Sequence, residues 1–131
     1  MFEKLEVFAM AQALARHGAA RQAVIAQNVA NADTPGYRAR DAVEFSETYR
    51  TTRDGGLRAS RPAHALGAEP TPYAAEIQTV HRPDAAAPNG NNVSIEQEIY
   101  AATRAKSAHD RALAIYGSAM KILRTSVSGR G

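Results

Sequence analysis

Between residues 5 and 31, apolar and small side chains return at steps of three and four: Phe8, Ala11, Ala15 and Gly18, then Ile25, Val29 and Ala32. That spacing puts them on one face of an α-helix. Gln22 interrupts the stripe, while Ala9, Ala13, Ala20, Ala23 and Ala30 widen it. A helix over this segment would be roughly 40 Å long at the helical rise. Gly18 weakens it by about 1 kcal/mol against alanine. A residue without a side chain also lets another backbone come close.

A second, longer pattern closes the chain. Ser94 with Gln97 forms a capping box, and Glu96 and Glu98 favour the positive end of a helix. From there a stripe runs Ile95, Ile99, Ala102, Lys106, His109, Leu113, Tyr116, Met120, Leu123, Val127. Beside it lies an alanine-rich stripe: Ala101, Ala105, Ala108, Ala112, Ile115, Ala119, Ile122. This helix would be roughly 50 Å long. The two segments predict a mainly α fold, with long N- and C-terminal helices packed as an antiparallel coiled-coil hairpin. Phe8, Ile25 and Val29 on the first helix, with Ile99, Leu113, Tyr116, Met120 and Leu123 on the last, are the expected packing residues. Alanine buries little area per residue, so a two-helix hairpin leaves apolar surface for helices of other chains.

The middle is different. Residues 33–92 contain all six prolines. Asp54-Gly55-Gly56 reads as a tight turn, Glu76–Val80 as a short strand, Phe45–Tyr49 as a helical turn and Ala85–Gly90 as a flexible linker. The expected organisation is one structural unit in three parts: an N-terminal axial helix (1–32), an irregular segment with short strands (33–92) and a C-terminal axial helix (93–131).

Composition narrows the function. The 131 residues are 44% hydrophobic but only 6% aromatic, with no Trp and no Cys. Such a chain forms helices readily and has few bulky side chains for a deep core of its own. Without cysteine there is no disulfide framework and no thiolate chemistry. The start, Met1-Phe2-Glu3-Lys4-Leu5-Glu6, is acidic and lacks the apolar block of a Sec-type signal peptide. No run is long and apolar enough for a transmembrane helix. The net charge of +3 makes nucleic acid thinkable. The arginines, however, are dispersed among acids, with no basic patch and no interleaved aromatics.

Catalytic constellations are missing. His17, His64, His81 and His109 belong to no metal-ligand motif. There is no Gly-x-Ser-x-Gly elbow and no Gly-rich phosphate loop. Glu96 and Glu98 diverge on a helix, and adjacent His109 and Asp110 make no dyad. The expectation is a non-enzyme without cofactor, metal or small-molecule substrate.

One stretch exceeds what a helix stop requires: Asn28-Val29-Ala30-Asn31-Ala32-Asp33-Thr34-Pro35-Gly36-Tyr37. Asn31 ends the helix, proline keeps Thr34 extended, Pro35-Gly36 centres a type II turn, and Tyr37 covers the hairpin end. Asn28 is not needed for any of this. It shares a helix face with Asn31, so both could equally offer their amides to a neighbour.

This stretch resembles the N-terminal signature of the bacterial flagellar rod and hook family, an alanine-rich helix ending in Ala-Asn-x-x-Thr-Pro-Gly-Tyr. Gly90-Asn91-Asn92-Val93-Ser94-Ile95-Glu96-Gln97-Glu98 is similar to the opening of that family's C-terminal helix, with Ser94 where Asp is more usual. The short length, Asp41–Phe45 and the ending Ile122–Val127 are similar to those of proximal-rod members. With their helices the two motifs cover about half of the chain, in the expected order. The resemblance implies a structural subunit of the proximal rod of the flagellar basal body, a helical assembly that transmits torque across the periplasm. It implies as partners copies of the chain itself, other proximal rod proteins, the membrane-ring adaptor FliE and the flagellar type III export apparatus. Export would proceed without a cleaved signal. It implies subunit-interface roles for Phe8, Ile25, Asn28, Val29, Asn31, Pro35, Gly36 and Tyr37, and for Ile99, Leu113, Tyr116, Met120 and Leu123. Phe45 with Tyr49, which stands where an aliphatic residue is more usual, would be an export-gate element or simply a local i, i+4 pair. The alternative from another class is a soluble helical adaptor or chaperone-like binding module.

Overall fold

A computed structural model describes residues 2–48 and 79–129 of the chain. The elements run α1 (Phe2–Ala30), β1 (Arg40–Ala42), β2 (Thr79–His81) and α2 (Ile95–Ser128). The fold is mainly helical, as its periodicity predicts. The helices are antiparallel. Asn28 meets Glu98 at one end, Gly18 lies against His109 midway, and Phe8 packs on Tyr116 further along.

The seam follows a heptad. On α1, Ala11, Gly18 and Ile25 are buried at intervals of seven; on α2, Glu98, Ala105 and Ala112 are buried at the same interval. A Cβ on Gly18 would stand 3.1 Å from His109 Cβ and 3.4 Å from the carbonyl oxygen of Ala105. The glycine is therefore where the backbones come closest, and its helix-propensity cost is the counterpart of that approach.

The larger stripe on α2 does not pack as a unit. Ala102, His109 and Leu123 are half-buried towards α1, whereas Ile99 is 63% exposed, Leu113 51% and Met120 44%. The stripe straddles two heptad positions, and a two-helix seam covers only one of them. Small side chains occupy the covered one. Six of the eight buried hydrophobic residues among those described are alanines, with Val24 and Ile25 the others.

Both helix boundaries agree with the caps. Asn31 donates its N–H to the carbonyls of Gln27 and Asn28 at 3.1 Å, ending α1. At the start of α2, Ser94 Oγ accepts the Gln97 N–H at a long 3.5 Å. The Thr34–Tyr37 turn has the expected form, with Gly36 at φ +74° and Tyr37 N–H on the Thr34 carbonyl at 3.2 Å.

The middle segment departs from its sequence reading. β1 and β2 pair antiparallel, with Arg40 opposite His81, Asp41 opposite Val80 and Ala42 opposite Thr79. β2 contains Thr79 and Val80, the described residues of the expected Glu76–Val80 strand, and adds His81, while β1 carries no alternating signal to announce it. Residues 45–48 form a helical turn. The 85–90 stretch is a hydrogen-bonded turn rather than a free linker. Gly90 N–H donates to the Ala87 carbonyl at 2.8 Å, and Ala87 N–H to that of Asn91 at 2.7 Å. Tyr49, Asp54-Gly55-Gly56, His64 and residues 76–78 lie outside the described residues.

Candidate functional site

Where α1 ends, β1 begins and α2 starts, three asparagines and a glutamate form a buried polar knot. Asn28, 1% exposed, sits on the last turn of α1. Its Nδ2 donates to the Arg40 carbonyl at 2.7 Å and to Glu98 Oε2 at 3.2 Å. Its Oδ1 accepts the Arg40 N–H at 3.1 Å and the Tyr37 hydroxyl at 3.2 Å. The amide thus meets both backbone groups of Arg40, as a third strand would on the outer side of β1. An Asn can do this because its carboxamide presents one donor face and one acceptor face, like a peptide.

Asn91 and Asn92 work from the other chain end. Asn91 Nδ2 lies 2.8–2.9 Å from the carbonyls of Asn31, Ala32 and Thr34, and so caps the carbonyl end of α1 from outside. Its Oδ1 accepts the Val93 N–H at 2.8 Å. Asn92 Oδ1 accepts the Ala39 N–H at 2.5 Å, while its Nδ2 donates to the carbonyls of Arg82 and Asp84 at 3.2 and 3.3 Å. The two loops cross at glycines: Gly36 N–H donates to the Asn89 carbonyl at 2.9 Å, and a Cβ on Gly90 would stand 3.2 Å from Gly36 Cα. Gly90 holds φ +81°, a conformation open chiefly to glycine.

Glu98, also 1% exposed, completes the knot. Besides Asn28 it accepts from the Arg82 guanidinium, whose Nε faces Asp84 Oδ2 at 3.2 Å in an ion pair without hydrogen-bond alignment. A paired and hydrogen-bonded carboxylate is the form in which a charge tolerates burial. Nearby, Arg21 on α1 holds the Asp41 carboxylate with two bonds at 2.8 and 3.0 Å. An open groove of about 490 Å³ beside the knot is lined by Arg21, Asp41, Arg82, Asp84, Tyr100 and Arg104. Its charges largely answer one another, and Arg104 lies 5.9 Å from the centre of the Tyr100 ring.

Of the expected interface residues, Ile25 is buried in the hairpin and Phe8 rests edge-on against Tyr116 at 5.2 Å. Asn31 turns its amide to its own turn, donating to the Gln27 carbonyl at 2.8 Å and accepting the Thr34 hydroxyl at 3.2 Å. Pro35, Gly36, Val29, Ile99, Leu113 and Met120 remain exposed, and Tyr37 and Leu123 are half-buried. The Phe45 ring stands edge-on to His17, 5.7 Å between centres, and His17 Nε2 lies 2.6 Å from the Val43 carbonyl. On the outer face of α2 the Lys106 ammonium, 2.6 Å from Asp110, holds that carboxyl below its ordinary range. His109 Nδ1 stands 3.9 Å from Asp110, beyond hydrogen-bond reach.

Glu98 is the residue that sequence reasoning undervalued, as an ordinary charge on a helix N-terminus. Its signal was positional. Carrying the Ala112, Ala105 step of seven back once more lands on Glu98, a carboxylate in an otherwise alanine seam. Among the described residues no group of His, Asp and Glu is placed to hold a metal, and no helix is long and apolar enough to cross a membrane.

The stretch containing α1 and its turn, residues 9–38, matches the family model described as "Flagella basal body rod protein". Over these residues the chain is similar to the flagellar basal-body rod family. It is similar to the flagellar basal body rod protein FlgB of Escherichia coli (strain K12), at 39% identity over 87 residues, 61% of this chain and 62% of the relative. The FlgB protein of Shigella flexneri matches with the same identity and coverage. The match therefore spans less than two thirds of the length of either relative.

Proposed function

We propose that the chain is a non-enzymatic structural subunit of the rod in the bacterial flagellar basal body, at its proximal end. It polymerises helically and transmits torque across the periplasm for motility. Its partners are further copies of itself, other proximal rod proteins, the membrane-ring adaptor FliE and, on the way out, the flagellar type III export apparatus. The observation that carries this reading is the pairing of family-matched residues 9–38 with an α2 face that its own hairpin leaves open. Ile99, Leu113, Met120 and Val127 point away from α1 at heptad spacing, which suits a second helical seam with a neighbouring subunit. Phe8, Val29, Tyr116, Leu123 and the Pro35-Gly36-Tyr37 turn extend that contact. Ile25, Asn28 and Asn31 serve it indirectly, by shaping the helix end that presents it. Phe45 and Tyr49 form the export-gate element.

Leu113→Asp tests the assembly reading. In the isolated chain the side chain is half exposed, so the aspartate meets water; in a subunit seam it would be an unpaired buried charge. The expected result is normal expression, a folded monomer and a non-motile cell without a completed rod. A motile cell with a complete rod would rule out this face as the seam. Phe45→Ala should reduce export; unchanged export removes the gate role and leaves the assembly role standing.

A further inference from the structure

We infer that the asparagine knot is a coupling device, which makes the turn after α1 and the opening of α2 order as one unit, separable from the rest of the hairpin. Each asparagine of the knot makes at least one bond to a segment more than fifty residues away. Asn91 holds the carbonyls that end α1, 57 to 60 residues earlier. Asn28 holds both backbone groups of Arg40 and reaches Glu98, 70 residues on. Asn92 joins Ala39 to Arg82 and Asp84. Little apolar surface backs these contacts, since Ala39 and Ala42 are the buried hydrophobic residues of the strand segment among those described. The hydrogen bonds therefore decide whether this end is ordered. Each leaves a buried partner unsatisfied if another arm opens, so opening one arm destabilises the next. The turn can persist only while residues 89–98 are docked, and residues 89–98 only while the turn is closed. This would make the N-terminal signature a sensor of the state of the C-terminal helix.

Coupling of this kind is reciprocal, and single-amide hydrogen exchange on the full chain reads it from both ends. Asn91→Ser removes the cap on α1 without touching Arg40, whose N–H is bound to Asn28. Asn28→Ser frees Arg40 without touching Val93, whose N–H is bound to Asn91. The expected result is at least tenfold faster exchange at the remote amide in each variant: Arg40 in the first, Val93 in the second. The amides of Ala105 to Ala112 should keep their protection. A remote change below tenfold in either direction overturns the coupling. Equal acceleration along the whole chain, or a variant that fails to fold, overturns the separable unit. The measurement uses the isolated chain, so its outcome does not depend on the assembly reading.

Discussion

The two ends of the hairpin are held by different physics. At the knot, Asn28 and Glu98 are almost wholly buried and nearly every contact is a directed hydrogen bond or ion pair. Towards the other end, α1 and α2 meet through alanines, with Phe8 on Tyr116, and the larger side chains of α2 face outward. Directed contacts fix geometry and are costly to break. Alanine contacts allow close approach and contribute little burial energy each. One end is thus held by directed bonds within the chain, while an open apolar face runs the length of α2 from Ile99 to Val127.

The largest effect should come from removing the charge at the centre of the specified end. Glu98→Ala leaves the Arg82 guanidinium without its buried partner and also takes a bond from Asn28. Breaking a buried pair on one side costs about 3 kcal/mol or more. Urea denaturation of the monomer should show that loss; a loss below 1 kcal/mol would mean water reaches the knot and the contrast between the ends is overstated.

Asn28→Ala should come next, at about 2 kcal/mol, because it strands the Arg40 N–H and C=O. Thermal unfolding alongside Asn31→Ala sharpens the point. Asn31 contacts only its own turn through an exposed amide, and its loss should stay near 0.5 kcal/mol. Equal losses would show that the sequence was right to treat the two asparagines alike.

What the sequence made legible follows this division. Three-four periodicity and caps carried both helices to within a few residues, because those signals are local. Gly18 was readable as a point of close approach for the same reason. The knot was not readable, because its closing bonds link residues 53 to 70 positions apart, and the surplus Asn28 carries no local sign of its partner Glu98. β1 was invisible because a side chain, rather than a third strand, satisfies its outer edge at Arg40. Within the hairpin the seam on α2 takes the small Ala105 and Ala112, while the larger Ile99, Leu113 and Met120 beside them stay exposed. The Asn28–Tyr37 and Gly90–Glu98 stretches meet in the knot, but neither motif by itself specifies the bonds its residues make there.

Effects smaller than that of Asn28→Ala separate the seam from the open face by using the same substitution in both. Gly18→Ala and Gly117→Ala each replace a helical glycine, a change worth about 1 kcal/mol in an unobstructed helix. At Gly117 an added Cβ meets nothing within 4 Å, so the monomer should gain that stability. At Gly18 the methyl presses on His109 Cβ at 3.1 Å and approaches backbone of α2 at 3.4 Å, so the gain should be cancelled or reversed. Paired melting curves decide it. If both variants gain alike, the helices part easily at Gly18 and the close seam is not a fixed feature of the monomer. If only Gly117→Ala gains, and a cell carrying it nevertheless swims poorly, the free space at Gly117 is space that a neighbouring subunit fills.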